Sequence, residues 1–114
     1  MRVLVCGDRN WTRRDVVYNV LDALQPSVVI TGGATGADDF AEQWAIEHEV
    51  ACQVYPAQWK TFGKAAGPIR NQQMIDEGQP ELVLAFHQNL PKSRGTRDMV
   101  KRAKACGLEV SLIP

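Results

Sequence analysis

The sequence predicts an α/β fold in which a five-stranded parallel sheet is covered by helices on both faces. Five short apolar runs alternate with four segments whose apolar residues recur at helical spacing. The runs are apolar at consecutive positions, which is typical of strands that are buried on both sides. The chain has 114 residues, and a domain has roughly 100–200 residues. We therefore expect residues 1–114 to form one domain.

The predicted strands are rich in β-branched residues, and the segments that follow them carry glycine, proline or polar residues. The first strand, for example, ends at Gly7-Asp8, and the third ends at Pro56. The longest connection, residues 57–66, is predicted to be a loop. The five strands are predicted at residues 2–6, 28–31, 51–55, 81–86 and 109–113.

Four helices are predicted between these strands, and each has an identifiable start. Thr12 is the expected N-cap of the first helix, which Pro26 ends. Asp38 or Asp39 is expected to cap the second helix. The last two helices each open at a glycine, at Gly67 and at Gly95.

The charge balance and the cysteine usage exclude several classes of protein. Lys plus Arg total 13 and Asp plus Glu total 13, so the net charge is zero. The chain therefore lacks the overall positive charge of a non-specific nucleic-acid binder. Cys6, Cys52 and Cys106 are too far apart in the sequence for a disulfide framework or a thiolate zinc site. Neither a secretory signal nor a membrane-spanning apolar run is visible, so we expect a cytoplasmic location and no membrane partner.

The loops that follow the strands are the predicted functional region, because ligands bind beyond the carboxyl ends of parallel strands. Several of these loops place glycine just before a helix, where free backbone N–H groups and the helix dipole favour an anion such as phosphate. The predicted phosphate cradle is the loop 32–36. The candidate ligand-binding residues are Gly7, Asp8, Arg9, Gly32, Gly33, Ala34, Thr35, Gly36, Asp38, Arg70, Asn71, Arg94, Gly95 and Thr96.

Each of these features also has an explanation without a ligand. Glycines after strands serve ordinary turns, and Trp11 and Trp59 could pack their loops as well as stack on a base. Asp8, Asp38 and Asp39 could hold Mg²⁺ beside a phosphate, although helix capping also explains Asp38 or Asp39. The two histidines, His48 and His87, have no partner at ligand spacing, so no protein metal site is predicted.

Four motifs, in order along the chain, carry a family resemblance. CGDRNW, TGGATGADDFAEQWA, GKAAGPIRNQQM and RGTRDMV resemble the YspA-type family of the SLOG superfamily, whose members are Rossmann-like domains. This resemblance implies an open parallel sheet of order 3-2-1-4-5 and a nucleotide-derived ligand. It also implies a homo-oligomer. The function that we expect is binding or sensing of that ligand at the carboxyl edge of the sheet.

Two related families suggest alternative functions. The arginine motif of LOG-type phosphoribohydrolases, which cleave the base from nucleoside 5′-monophosphates, is similar to the sequence at Arg70. Their glutamate position is Met99 here, with Asp98 one residue away. If the chain is a hydrolase, Arg70 and Asp98 are the candidate catalytic residues, with Asp8 or Asp38 as the alternative carboxylate. The DNA-processing protein A family is similar at Gly7-Asp8-Arg9, at residues 32–38 and at Arg70-Asn71. It implies a module that binds single-stranded nucleic acid, which the zero net charge disfavours.

Overall fold

The central strands carry apolar side chains on both sides, and the sheet is accordingly covered on both faces. The computed structural model describes residues 1–114. All strand pairs are parallel, and the strand order is β3-β2-β1-β4-β5. This confirms the predicted fold class and order. The strands are β1 (Arg2–Gly7), β2 (Val28–Thr31), β3 (Ala51–Val54), β4 (Leu82–Phe86) and β5 (Glu109–Ile113).

Five α-helices connect these strands, and two turns of 3₁₀ helix (Gly63–Ala65 and Leu90–Lys92) lie in the loops. None of the helices is both long and apolar enough to cross a bilayer. The helices are α1 (Arg14–Leu24), α2 (Ala37–Glu47), α3 (Trp59–Phe62), α4 (Ala66–Gly78) and α5 (Arg94–Ala105).

Alternation along β1 divides the core into two layers. Val3 and Val5 pack with α1 and α2 on one face of the sheet. Leu4 and Cys6 pack with α4 and α5 on the other face. Successive side chains of a strand point to opposite faces of the sheet. The apolar run at residues 3–6 is therefore buried only if helices cover both faces.

The register of the two central strands determines which loops meet at the carboxyl edge of the sheet. Gly7 pairs with Phe86 in the β1–β4 ladder. The ladder continues into the loop, since the Asp8 N–H donates to the Phe86 carbonyl at 2.8 Å. The segments that follow β1 and β4 therefore begin side by side at the middle of the sheet.

Two local predictions were wrong. Thr12 does not cap α1, which begins at Arg14 with no side-chain cap. The indole of Trp11 is buried against Phe86 with ring centroids 5.7 Å apart and donates to the Arg13 carbonyl at 3.0 Å. This packing holds residues 11–13 outside the helix. The segment 57–66 is not a plain loop either, because its first six residues lack glycine and proline and include the helical turn α3.

Gly36 allows the loop after β2 to dock on the loop after β1. Its φ is +75° and its ψ is −125°, a combination that side chains rarely adopt. A Cβ there would overlap the Asp8 carbonyl oxygen and lie 2.6 Å from the carbonyl carbon of Arg9. The two loops are also joined by the Thr35 hydroxyl, which donates to the Arg9 carbonyl at 2.9 Å.

Replacing Gly36 should therefore destabilise the fold by more than backbone strain alone. Gly63 is a matched control, because its φ of +57° and ψ of −134° are nearly the same and no atom lies within 4 Å of its Cβ position. We expect Gly63→Ala to cost ~1–3 kcal/mol and Gly36→Ala to cost roughly 2 kcal/mol more. Urea unfolding measures both values, and equal costs would show that the two loops do not dock as described.

Candidate functional site

A cleft of about 600 Å³ lies at the carboxyl edge of the sheet. We call it the strand-end cleft. Among the residues predicted from the sequence, those that line it are Gly7, Asp8, Arg9, Gly32, Ala34, Asp38, Arg70, Asn71, Arg94, Gly95 and Thr96. The remaining lining residues are Cys6, Asn10, Trp59, Gly67, Met74, His87, Lys92 and Ser93.

The structure does not place Gly33, Thr35 or Gly36 in the lining of the cleft. The Cβ position of Gly33 lies 3.0 Å from the Val54 side chain, and its φ is +73°. Glycine is therefore required at this position by the backbone conformation and by the contact with β3. Of the predicted phosphate cradle, only Gly32 and Ala34 reach the cleft.

Asp38 accepts two of the backbone N–H groups that we expected to bind a phosphate. Its side chain is buried, and its Oδ2 accepts the N–H of Gly32 at 3.0 Å and that of Ala34 at 3.3 Å. The prediction that Asp38 or Asp39 caps α2 was wrong, because Gly36 holds the N-cap position. The Asp39 carboxylate instead accepts from Gln43 at 2.8 Å. The loop after β2 thus binds a carboxylate of its own chain.

Arg70 holds the same loop from the other side. Its Nη1 donates to the Gly32 carbonyl at 2.6 Å and to the Tyr55 carbonyl at 3.4 Å, and its Nε donates to Asn71 at 3.1 Å. A Cβ on Gly32 would overlap the guanidinium group. Arg70 is therefore not the free cation that the sequence analysis assumed, because carbonyl oxygens accept from Nη1 and only Nη2 is left without a protein partner.

Burial controls the ionisation of the groups at this end of the cleft. Loss of water raises the pKa of Asp38 to about 7, although the two loop amides and the positive charge of Arg70 act in the opposite direction. Burial lowers the pKa of Arg70. Burial also raises the pKa of the Cys6 thiol, and the negative charge of Asp38 raises it further. Cys6 therefore does not supply a reactive thiolate.

Asp98 lies outside the lining of the cleft, contrary to its place among the candidate catalytic residues. Its Oδ2 accepts from Arg102 at 2.8 Å and from Asn71 at 3.0 Å. Met99, at the position that corresponds to the glutamate, is buried in the core below α5. Helix α5 therefore contributes no carboxylate to the cleft.

The first turn of α5 remains open to a ligand. The Oγ of Ser93 accepts the Thr96 N–H at 3.1 Å and caps the helix. The N–H groups of Arg94 and Gly95 also belong to this first turn, where the helix offers no carbonyl to accept their hydrogen bonds. Space is free beside Gly95, since no atom lies within 4 Å of its Cβ position. Lys92 and Arg94 add positive charge at this end.

The two loop tryptophans have different environments. Trp11 is buried and packs its loop against the sheet. Trp59 is 59% exposed and lines the cleft, with its indole 3.3 Å from the Cβ position of Gly67. Trp59 is therefore the indole that a ligand can reach.

His87 lines the cleft although the sequence analysis gave it no role. Its Nε2 lies 4.0 Å from Oδ2 of Asp8. The two residues are 79 positions apart in the sequence, so only the pairing of β1 with β4 could have indicated the contact.

The predicted Mg²⁺ ligands Asp8, Asp38 and Asp39 do not form a metal-binding group, and no three His, Cys, Asp or Glu residues do.

Comparison with known proteins gives the family. A family model described as YspA, cpYpsA-related SLOG family matches residues 1–62. The Gene 61 protein of Mycobacterium phage D29 is 40% identical over 119 residues, which cover 96% of this chain and 93% of that protein. The chain belongs to the YspA-related SLOG family. The family match includes the loops after β1 and β2, whereas Arg70 and the start of α5 lie beyond it.

A solved structure supports the fold of this SLOG chain. The X-ray structure of DNA processing protein A (DprA) from Streptococcus pneumoniae superposes with a TM-score of 0.78 at 21% sequence identity. The match covers 99% of this chain and 50% of the DprA chain. At this identity the likeness establishes a shared fold, and the SLOG chain spans about half the length of DprA.

The raised pKa of Asp38 predicts how stability depends on pH. The ordinary pKa of 3.8 applies to the unfolded chain, whereas the folded value is about 7. Between these two pH values the folded state binds the extra proton, so stability should fall as the pH rises from about 4 to about 7 and then level off. We expect this group to contribute a decrease on the order of 2–4 kcal/mol.

Asp38→Asn tests this assignment, because the amide keeps an oxygen for the two loop N–H groups and cannot ionise. The free energy of unfolding of Asp38→Asn should lack this decrease between pH 4 and pH 7. Asp39→Asn, at the neighbouring position, should keep the wild-type pH profile. Parallel profiles for the wild type and Asp38→Asn would contradict the buried carboxylate.

Proposed function

We propose that this SLOG chain binds a nucleotide-derived ligand in the strand-end cleft. The observation that carries the proposal is the charge of the lining, which has four cationic side chains and two carboxylates on a chain of zero net charge. One of those carboxylates, Asp38, is already hydrogen-bonded to the loop after β2. Such a local excess of positive charge favours an anionic ligand. The four cations are Arg9, Arg70, Lys92 and Arg94.

The anionic group of the ligand is proposed to bind at the start of α5. The N–H groups of Arg94 and Gly95 and the positive end of the helix dipole are suited to a phosphate. The guanidinium of Arg94 and the ammonium of Lys92 supply charge at the same end. The loop 32–36 is less suitable, because Asp38 accepts the N–H groups of Gly32 and Ala34, the two loop residues that line the cleft, and would repel a phosphate when ionised.

Another part of the cleft lining suits an aromatic group. Trp59 presents a largely exposed indole, and base–indole stacking is a common means of binding nucleotides. The cleft volume of about 600 Å³ lies in the range of roughly 300–1,000 Å³ that small-molecule sites occupy. A nucleotide with its phosphate at α5 and its base at Trp59 fits these features.

The carboxylates support binding or sensing rather than cleavage of the glycosidic bond. Cleavage passes through an oxocarbenium-like transition state that a nearby carboxylate stabilises. The Asp98 carboxylate is bonded to Arg102 and Asn71, and Met99 is buried. Within the cleft, Asp38 is bonded to the loop amides through Oδ2, and Asp8 is bonded to the Asn10 N–H through Oδ1.

Binding of single-stranded nucleic acid is the second candidate. The observation in its favour is the exposed Trp59 next to Lys60 and near Lys64, since exposed aromatic and basic side chains are typical of such sites. The similarity to DprA, whose name refers to DNA processing, is consistent with this candidate. The zero net charge favours a small ligand instead.

Substitutions on α5 test the proposed function. Arg94→Ala removes a charge from the cleft, and Gly95→Val adds a side chain at the first turn, where a Cβ meets no side chain or neighbouring segment within 4 Å. We expect each to weaken binding of nucleoside 5′-monophosphates and ADP-ribose by roughly 10- to 100-fold in calorimetric titrations. Lys104→Ala is the matched control, because it removes the same charge from the exposed last turn of the same helix.

Equal weakening by Lys104→Ala and Arg94→Ala would contradict the placement of the anion. A single-stranded oligonucleotide that binds more tightly than any mononucleotide, with affinity that falls steeply with salt, would favour the second candidate. Release of free base from the monophosphates during the titration would favour a hydrolase instead.

A further inference from the structure

Asp8 and His87 form a polar pair in the cleft that has no part in the proposed binding of the phosphate and the base. They follow β1 and β4, which are neighbours at the centre of the sheet. The His87 Nε2 and the Asp8 Oδ2 are 4.0 Å apart, which is too far for a hydrogen bond between them. Both residues line the cleft.

The hydrogen bonds of the two side chains determine which atoms remain available. Nδ1 of His87 accepts the Asn89 N–H at 2.9 Å, so the neutral imidazole carries its proton on Nε2. Oδ1 of Asp8 accepts the Asn10 N–H at 2.9 Å, while Oδ2 accepts none. The pair therefore presents one free donor and one free acceptor.

These free atoms are held in place and open to the cleft. The His87 side chain is only 10% exposed, so packing fixes the direction of its ring. No fully buried side-chain polar atom in the structure lacks a hydrogen-bond partner, so Nε2, which has none, is accessible from the cleft. A donor that has no protein acceptor, on a side chain that is nine-tenths buried, gains a hydrogen bond from a ligand that supplies an acceptor.

We propose that Asp8 and His87 bind a ribose hydroxyl, so that the cleft selects ribonucleotides over deoxyribonucleotides. A hydroxyl oxygen both accepts and donates, and one placed roughly 2.8 Å from each atom bridges the pair. A phosphate oxygen would be repelled by Asp8, and an ammonium group would leave the His87 donor unpaired. This inference rests on the proposed function, because it assigns the sugar of the same ligand.

The test is calorimetric titration with four nucleoside 5′-monophosphates, followed by the 2′-deoxy and 3′-deoxy analogues of the one that binds most tightly. We expect at least one analogue to bind the wild type roughly 10- to 100-fold more weakly than the ribonucleotide, as loss of a hydrogen bond to a charged group implies. The other contacts of the ligand are unchanged in the analogues.

Two substitutions at His87 separate the free donor from the loop contact. His87→Asn keeps an acceptor where Nδ1 receives the Asn89 N–H but has no group at Nε2, so it should lose the preference for ribose. His87→Gln places an amide nitrogen near the Nε2 position and should keep most of it. His48→Asn is the control, because His48 also faces an aspartate, with its Nε2 3.4 Å from Asp22, outside the cleft.

Each outcome decides the proposal. Loss of the preference in His87→Asn and in Asp8→Asn, with affinity for the deoxy analogue unchanged, supports it. Equal binding of ribonucleotide and both analogues by the wild type overturns it and leaves the proposed function intact. If His87→Asn weakens the binding of the ribonucleotide and of its analogues equally, the proposal is also overturned. His87 would then affect binding only by holding its loop, not by contacting the ribose. Failure of every monophosphate and of ADP-ribose to bind overturns both proposals.

Discussion

The arrangement of the strand-end cleft depends on a clamp around the Gly32 peptide. Asp38 accepts the N–H of Gly32 at 3.0 Å, and Arg70 donates to its carbonyl at 2.6 Å. These two bonds join the loop after β2 to α2 on one face of the sheet and to α4 on the other. Because both side chains are largely removed from water, removing either one would leave the other charge poorly compensated.

The cleft has two different walls, one whose charged side chains are bonded to the protein and one whose backbone donors have no protein partner. On the β2 side, Asp38 and Arg70 bond to the loop itself. On the α5 side, the first-turn N–H groups and the cation of Arg94 have space beside them. An anionic ligand therefore gains most at α5, because it displaces no internal partner there. The Asp8–His87 pair lies at the strand ends between these walls and contributes one free hydrogen-bond donor and one free acceptor.

The topology could be predicted because it depends on local apolar runs, and the predicted limits of β2 and β5 agree with the structure. The position of most candidate residues at one edge followed from that topology. Their hydrogen bonds could not be predicted, since Arg70 bonds to a carbonyl 38 residues away and His87 faces Asp8 across two strands. The capping rule failed at Thr12 for the same reason, because the packing of Trp11 on Phe86 outweighed a local preference.

The central claim is that the ligand anion binds at the first turn of α5 while Asp38 keeps the loop after β2. An amide-resolved NMR titration of the ¹⁵N-labelled chain with adenosine 5′-monophosphate tests it most directly. We expect the largest shifts on the N–H groups of Arg94, Gly95 and Thr96, with small shifts at Gly32 and Ala34. Dominant shifts at Gly32 and Ala34, with little change at α5, would contradict it.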